Sequence, residues 1–415
     1  MAMRVLMNLL RALCRVVLGI VFILSGLLKV IDPIGGGLKI KEYLTAFHLG
    51  FLDFVSVPVA VLFACAEFVL GVAVLKGLRM KLACRVVLYF MAFFTLLTLY
   101  SAIFSPVEDC GCFGEAIHLT NWQTFFKNVV LILCATFIFF QRDKFKEIST
   151  PRNEWYYVGG YSLLVLGISL YSLFFLPQVD FGAFKAGTDL VEYQQGVEKE
   201  YSTILIYSKN SKEQEFTLEN LPDSTWSFVD SKTTLVDKSV RSSGEDFSLK
   251  DIYGEYVGSE VFPKNRPTFI LSFYNIPKLN EEIVARAKKL CDSLSARGIN
   301  VIIISGGYLL ESEKAFSTLA NVPLYFADYK TLLTLNRSNG GLTYTYGGYI
   351  VNKWSKFNYP TDKLDIILEN DPEIVMAKEV IKEQLFIQIL FAFIFIAILV
   401  IRYNLRNLNI HISEP

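Results

Sequence analysis

Two cysteines separated by a single glycine form the pattern in this sequence that is best suited to chemistry. Cys110 and Cys112 lie in the segment EDCGCFGEAIH, residues 108–118, with Gly111 between them. Glycine adopts positive φ at little cost, so the two sulfur atoms could close a small strained ring. Strained and exposed disulfides have more oxidising potentials and tend to be labile or catalytic. Cys110 and Cys112 are therefore candidate catalytic residues, as a redox-active pair.

Other roles for this cysteine pair stay open. The pair could be a structural staple for its loop, or two unconnected thiols. A metal site with His118 would lack a fourth ligand, so we predict no metal. The neighbouring acids Glu108, Asp109 and Glu115 would raise the pKa of a thiol by like-charge repulsion, which argues against a reactive thiolate. The local residues alone do not decide between a redox and a structural role.

Two ionisable residues fall within apolar segments. Glu67 lies near the middle of the second such segment and Lys29 lies towards the end of the first. A charge in lipid is costly and usually faces a bundle interior with a partner. Lys29 and Glu67 could pair, but snorkelling of Lys29 to the interface is the favoured alternative. One interpretation of Glu67 is a protonated, hydrogen-bonded carboxyl in the core. In the other, Glu67 is a third candidate catalytic residue that provides a polar contact for a quinone or accepts a proton near the cysteines, by analogy with four-helix thiol oxidases.

Six apolar segments would place these residues in a membrane. A bilayer core about 30 Å thick needs roughly 20 mostly apolar residues per helix. Backbone polar groups must be satisfied internally in lipid, so the spans are expected to be helices. No small-residue cleavage site follows the first segment, and we expect it to be retained. The segments cover residues 16–31, 57–75, 82–104, 124–140, 156–176 and 385–401, the first preceded by an amphipathic turn at 9–13.

Basic residues predict the orientation of these spans. Four clusters of Lys and Arg all fall on one side after six crossings, and this side is cytoplasmic by the positive-inside rule. The clusters are Arg4, Arg11 and Arg15; Lys76, Arg79, Lys81 and Arg85; Arg142, Lys144, Lys146 and Arg152; and Arg402 and Arg406. We therefore predict a multi-pass protein of the bacterial inner membrane, with both termini cytoplasmic and residues 178–383 periplasmic. The cysteine pair then lies in a compartment that permits disulfides.

The polar stretch after the fifth span predicts a soluble α/β region. Strand-like runs at 201–207, 213–218 and 226–230 predict a small β-rich segment within 178–244. Residues 245–360 alternate strands (267–275, 300–305, 323–328), helical segments (279–297, 309–319, 329–336) and a hairpin at 343–354. This order is typical of a thioredoxin-like domain. A linker at 361–383, a membrane helix at 384–402 and a cytoplasmic tail at 403–415 are expected to follow.

The predicted thioredoxin-like domain lacks the cysteines that thioredoxin chemistry needs. The place for a CxxC motif after strand 267–275 holds Asn275-Ile276-Pro277-Lys278. No proline precedes the hairpin at 338–342, and Cys291 falls inside a helix where we expect no redox role. The domain is thus expected to be a binding module or a degenerate relative that retains recognition.

Three motifs resemble the MauE/DoxX group of redox-associated membrane proteins. DCGCFG at 109–114 looks like the signature loop of the group, SGLLKVIDP at 25–33 is similar to its SGxxKxxDP ending, and AEFVLGVAVLKG at 66–77 resembles its membrane Glu followed by Gly. The resemblance covers the bundle of residues 1–177, with five helices. It implies a four-helix core associated with periplasmic thiol–disulfide chemistry or maturation of partner proteins, without assigning an activity.

The sequence suggests three classes of function. The first is a membrane protein that supports thiol–disulfide or electron transfer through Cys110 and Cys112, with quinone as a conceivable cofactor. The second is a non-enzymatic scaffold or assembly factor, and the third is a small-solute transporter, suggested only by Glu67 and Lys29. The expected partners are the lipid bilayer and a periplasmic or membrane protein. Equal numbers of basic and acidic residues, 40 each, give no argument for nucleic acid.

Overall fold

Two compact units make up the chain in the computed structural model. The first comprises Met1–Lys185, Trp354–Asn358 and Ala377–Pro415, and the second comprises Ala186–Lys353 and Tyr359–Met376. The structure describes residues 2–107, 109–145, 151–195, 201–209, 212–217, 226–235, 247–389 and 392.

The first unit is helical. Its elements are α1 (Ala2–Ile31), α2 (Pro33–Ala46), α3 (Ser56–Lys76), α4 (Met80–Phe104), the short strand β1 (Cys112–Glu115), α5 (Asn121–Phe140) and α6 (Pro151–Phe174). Five described helical segments are long and apolar enough to cross a bilayer. The chain is therefore a multi-pass membrane protein, as predicted. The sixth predicted span, 385–401, lies mostly outside the described residues.

Two features of the first unit correct the sequence prediction. Helix α1 begins at Ala2 rather than at residue 16, because residues 2–15 contain no glycine or proline that would end it. Helix α2 was not predicted, since its three consecutive glycines disfavour a helix. Asp32 starts α2 by accepting a hydrogen bond from Gly35 N at 3.0 Å, and Pro33 occupies the first helical position.

Glycines allow α1 and α3 to pack with their backbones in close approach. A Cβ atom on Gly26 would lie 2.4 Å from Phe68 N, and one on Gly71 would lie 2.7 Å from Ile23 N. Small residues at such crossings let membrane helices come together. This close packing places the Lys29 side of α1 against the Glu67 side of α3.

The second unit contains helices and two sheets. A three-stranded sheet, in the order β3-β2-β4, follows the short helix α7 (Leu190–Gln195). Its strands are antiparallel: β2 (Tyr201–Lys209), β3 (Lys212–Thr217) and β4 (Ser227–Leu235). These strands lie where the sequence predicted them, close to the 201–230 runs.

The larger sheet has seven strands in the order β11-β10-β7-β8-β9-β5-β6. Strand β8 is parallel to β7 and β9, whereas β10 is antiparallel to β7. The strands are β5 (Leu249–Lys250), β6 (Tyr256–Val257), β7 (Pro267–Phe273), β8 (Asn300–Ser305), β9 (Leu324–Phe326), β10 (Gly341–Tyr346) and β11 (Tyr349–Trp354). The helices are α8 (Glu281–Ser295), α9 (Leu309–Ala315), α10 (Tyr329–Leu335) and α11 (Leu364–Glu369).

The segment predicted as a linker, 361–383, is largely helical. It contains α11, and residues 372–389 are also helical. The second of these helices starts in the usual way, since Asp371 accepts a hydrogen bond from Glu373 N at 2.9 Å and Pro372 stands between them. The stretch contains no glycine, and its one proline stands at the start of the second helix, where proline is tolerated, so both parts favour helix.

Candidate functional site

The two cysteines of the loop between α4 and α5 lie side by side as thiols. Their Sγ atoms are 2.9 Å apart, and neither forms a disulfide. Gly111 adopts a φ of +62°, which only glycine takes at little cost. The turn between Cys110 and Cys112 thus brings the sulfur atoms into hydrogen-bond contact, without the disulfide ring that their spacing would allow.

The pKa values of the two thiols are shifted in opposite directions. The Cys110 thiol donates its hydrogen bond to Cys112, and this bond together with the charges of Lys127 and Lys29 lowers the pKa of Cys112 to about 6, against the effects of burial and Glu67. The same hydrogen bond, together with burial, raises the pKa of Cys110. The pair is therefore a thiolate at Cys112 with a protonated thiol at Cys110, the state that favours nucleophilic attack by Cys112.

The prediction that neighbouring acids would suppress a thiolate is wrong for Asp109. His118 Nδ1 lies 2.8 Å from Asp109 Oδ2, and Lys39 Nζ lies 3.0 Å from Asp109 Oδ1. Burial opposes the charge on this carboxyl, but the contacts with His118 and Lys39 outweigh it and lower the pKa of Asp109. Its negative charge is thus compensated locally. Glu108 lies outside the described residues.

Lys29 and Glu67 form a buried ion pair. Lys29 Nζ lies 2.7 Å from Glu67 Oε1 and 2.9 Å from Oε2, with 14% and 7% of the two side chains exposed. The favoured prediction, snorkelling of Lys29, is wrong because the close approach of α1 and α3 puts the carboxylate within its reach. The structure places Glu67 inside the bundle, where it is paired with Lys29. Its catalytic role stays a prediction.

Ser25 connects this ion pair with the cysteine loop. Its Oγ lies 2.7 Å from Glu67 Oε2 and 2.6 Å from the backbone carbonyl of Cys112. Sequence reasoning used Ser25 only as part of a motif. Its spacing of four residues from Lys29 was the available signal, because residues i and i+4 share one face of a helix.

Lys127 is a further residue of the site that sequence reasoning missed. Its ammonium lies 4.5 Å from the centre of the Phe113 ring, next to Cys112. Lys127 is an ionisable residue within a predicted span, so the rule that singled out Glu67 would also have found it. A shallow depression lies beside Cys112, and it is lined by Gly111, Cys112, Phe113, Ile117, Leu119 and Thr124.

Replacing Gly111 with alanine should disrupt the loop more than the same change at Gly114. Both glycines have φ of +62°, so either alanine would cost about 1–2 kcal/mol in backbone strain. Only at Gly111 would the new Cβ meet another side chain, 2.6 Å from Lys39 Cγ, whereas nothing lies within 4 Å at Gly114. We expect a lower melting temperature in detergent for Gly111→Ala than for Gly114→Ala. Equal melting temperatures would show that Lys39 does not pack on the loop.

The second unit has no thiol at the end of strand β7. Asn275 occupies this place, and its backbone is held by Asn339, which accepts from Asn275 N at 3.0 Å and donates to Asn275 O at 2.8 Å. Cys291 lies in α8 with 1% of its surface exposed, and burial raises its pKa to about 12. This burial agrees with the prediction that Cys291 takes no part in redox chemistry.

The helices and the loop define a class: a multi-pass membrane protein whose bundle carries a thiolate–thiol pair beside a buried ion pair. Residues 7–141, from α1 to α5, match the family described as methylamine utilisation protein MauE. Residues 201–238 match a domain of unknown function, DUF8463. Protein TlpB of Flavobacterium psychrophilum is 28% identical over 163 residues, which are 38% of this chain and 43% of that protein. The chain thus spans less than half of that relative's length, and the similarity to MauE is limited to residues 7–141.

Proposed function

We propose that this protein is a MauE/DoxX-type inner-membrane protein that exchanges disulfides or electrons with an exported partner through Cys110 and Cys112. The observation that carries the proposal is the asymmetry of the pair, with sulfur atoms 2.9 Å apart and the pKa of Cys112 lowered to about 6. A thiolate next to a protonated resolving thiol is the arrangement that thiol–disulfide exchange requires. The match to MauE over residues 7–141 supports the same class of chemistry.

Thiol–disulfide exchange at this pair takes two steps. The Cys112 thiolate attacks one sulfur of a partner disulfide, so a Cys112–partner bond forms and the first partner thiolate leaves. Cys110 then gives its proton to the first partner thiolate and attacks the Cys112 sulfur, which forms the loop disulfide and releases the second partner thiolate. The partner gains two electrons and the loop loses two. The reverse steps oxidise a partner dithiol, and the relative reduction potentials set the direction.

The topology and the role of the second unit are part of this proposal. The apolar run at 385–401 favours a sixth span. The clusters of Lys and Arg favour cytoplasmic termini and a periplasmic polar region. The strand order β8-β7-β10-β11, with β7 parallel to β8 and antiparallel to β10, supports a thioredoxin-like domain at 245–360 next to a β-rich segment at 178–244. This domain would bind the partner and not react with it.

A scaffold or assembly factor is the second candidate function. It is favoured by the end of β7, where Asn275 and Asn339 hold a turn that carries no thiol. In that case the cysteine pair would serve only the structure of its loop. Cross-linking from the turn at Asn275 or from the hairpin of β10 and β11 would capture an exported protein even after both loop cysteines were replaced.

The test of the redox function replaces both loop cysteines with serine in the full-length protein. We expect the thiol oxidation state of at least one exported protein to change, measured by alkylation and mass shift across the exported fraction. Cys291→Ser is the matched control, because this buried thiol should take no part. Unchanged oxidation states in every exported protein would contradict the redox function and leave the scaffold as the remaining candidate function.

A further inference from the structure

The hydroxyl of Ser25 stands between two oxygen atoms that both accept hydrogen bonds when Glu67 is ionised. These are Glu67 Oε2 at 2.7 Å and the Cys112 carbonyl at 2.6 Å. A hydroxyl carries one hydrogen, so it cannot donate fully to both. Glu67 and the loop backbone therefore compete for the same hydrogen, and Ser25 links the ion pair to the backbone of Cys112.

Lys29 is shared between the carboxylate and the cysteine pair in a similar way. Its ammonium contacts both oxygens of Glu67, at 2.7 and 2.9 Å, and its charge also acts on the Cys112 sulfur. Both side chains of the ion pair are at least 86% buried, so their charges are little screened by water. An ionised Glu67 competes with the thiolate for the same cation.

The charged and titratable groups around Cys112 come from every element packed against it. Lys29 acts from α1, Glu67 from α3, Lys127 from α5 and Cys110 from the loop itself. From α2, Tyr43 acts on Cys110, and Lys39 pairs with Asp109. Glu67 is the anion that acts on Cys112 directly. Removing the negative charge of Glu67 should therefore favour the Cys112 thiolate.

We propose that Ser25, Lys29 and Glu67 act as one set of positioning residues, which holds the cysteine loop and sets how much of Cys112 is thiolate. The inference rests on the thiol–disulfide function proposed above. The charge of Lys29 favours the Cys112 thiolate, whereas the charge of Glu67 disfavours it. Glu67 also competes with the thiolate for Lys29 and with the Cys112 carbonyl for the Ser25 hydroxyl. The balance of these contacts inside the bundle thus sets the reactivity of the loop.

The test measures the rate of Cys112 alkylation against pH in the full-length protein in detergent, with each peptide quantified by mass. The thiolate is the nucleophile, so the rate follows its fraction. Loss of one neighbouring cation should raise the pKa of Cys112 by about one unit, so Lys29→Met should slow alkylation about fivefold at pH 6 and leave it unchanged at pH 9. Glu67→Gln should have the opposite effect and should make alkylation of Cys112 faster below pH 6.

A double variant and a control keep the test decisive if a single variant folds poorly. Lys29→Met with Glu67→Gln leaves no unpaired buried charge, and its profile should lie between those of the single variants. Lys81→Met is the matched control, because it breaks an exposed ion pair with Asp143 at the other end of α4. An unshifted profile for Lys29→Met, or shifts of the same sign in both single variants, would overturn the inference and leave the redox function standing. A wild-type Cys112 that titrates near pH 8.5 would instead remove the thiolate on which that function depends.

Discussion

Replacing Cys110 with serine is expected to trap a mixed disulfide between this protein and its partner, whereas replacing Cys112 is expected to trap far less. Cys112 is the attacking thiolate and Cys110 resolves the intermediate, so removal of Cys110 stops the reaction after the first step. The serine hydroxyl at position 110 can still donate a hydrogen bond to the thiolate, as the thiol does across 2.9 Å. The trapped species should therefore form at close to the normal rate.

Non-reducing separation of membrane proteins followed by mass analysis would measure this difference. We expect at least tenfold more mixed disulfide with Cys110→Ser than with Cys112→Ser, because a thiol with a raised pKa is a poor nucleophile at neutral pH. Cys291→Ser should resemble the unchanged protein. Equal trapping by both loop variants, or more trapping by Cys112→Ser, would show that the assigned order of attack is wrong.

The second large effect is the difference in reactivity between Cys112 and Cys291. With a pKa of about 6, most of Cys112 is thiolate at pH 7, whereas Cys291, with a pKa of about 12, is almost entirely thiol. The thiolate fractions then differ by about 10⁵-fold. We expect alkylation of Cys112 to be at least about 10³-fold faster, since burial of Cys291 can only add to the difference.

The pH dependence of this reaction has a definite sign. Because the pKa of Cys112 is lowered, its alkylation should be near its maximum at pH 7 and fall tenfold for each pH unit well below 6. Peptide mapping after timed alkylation would give the rate at each pH. A rate that rises only above pH 8 would mean that the lysines near the loop do not stabilise a thiolate.

The membrane helices could be predicted because their signal is local. A run of apolar residues long enough to cross lipid must be helical whatever surrounds it, so α3, α4, α5 and α6 lie close to their predicted bounds. Helix α2 was missed because glycines at 35–37 lower its helix propensity, and only Asp32 and its packing reveal it. The strands from β7 to β11 were also found, since buried strands and the turn at Gly347 carry their own local pattern.

The electrostatics of the site could not be predicted from neighbours in sequence. The acids next to the cysteines suggested an unreactive pair, yet Lys39, Lys29 and Lys127 reach the loop from three different helices. A thiol responds to charges within a few ångströms in space, not along the chain. The Lys29–Glu67 pair was similarly underestimated, since its formation depends on how closely glycines let two helices approach.

The most direct test of the central claim is the redox state of Cys110 and Cys112 in native membranes. Cells would be quenched in acid, free thiols alkylated, and the peptide containing both cysteines weighed before and after treatment with a mild reductant or oxidant. We predict that the pair converts reversibly between two thiols and one disulfide, while Cys291 stays a thiol throughout. A disulfide that no mild reductant opens, or two thiols that no oxidant joins, would contradict a redox-active pair.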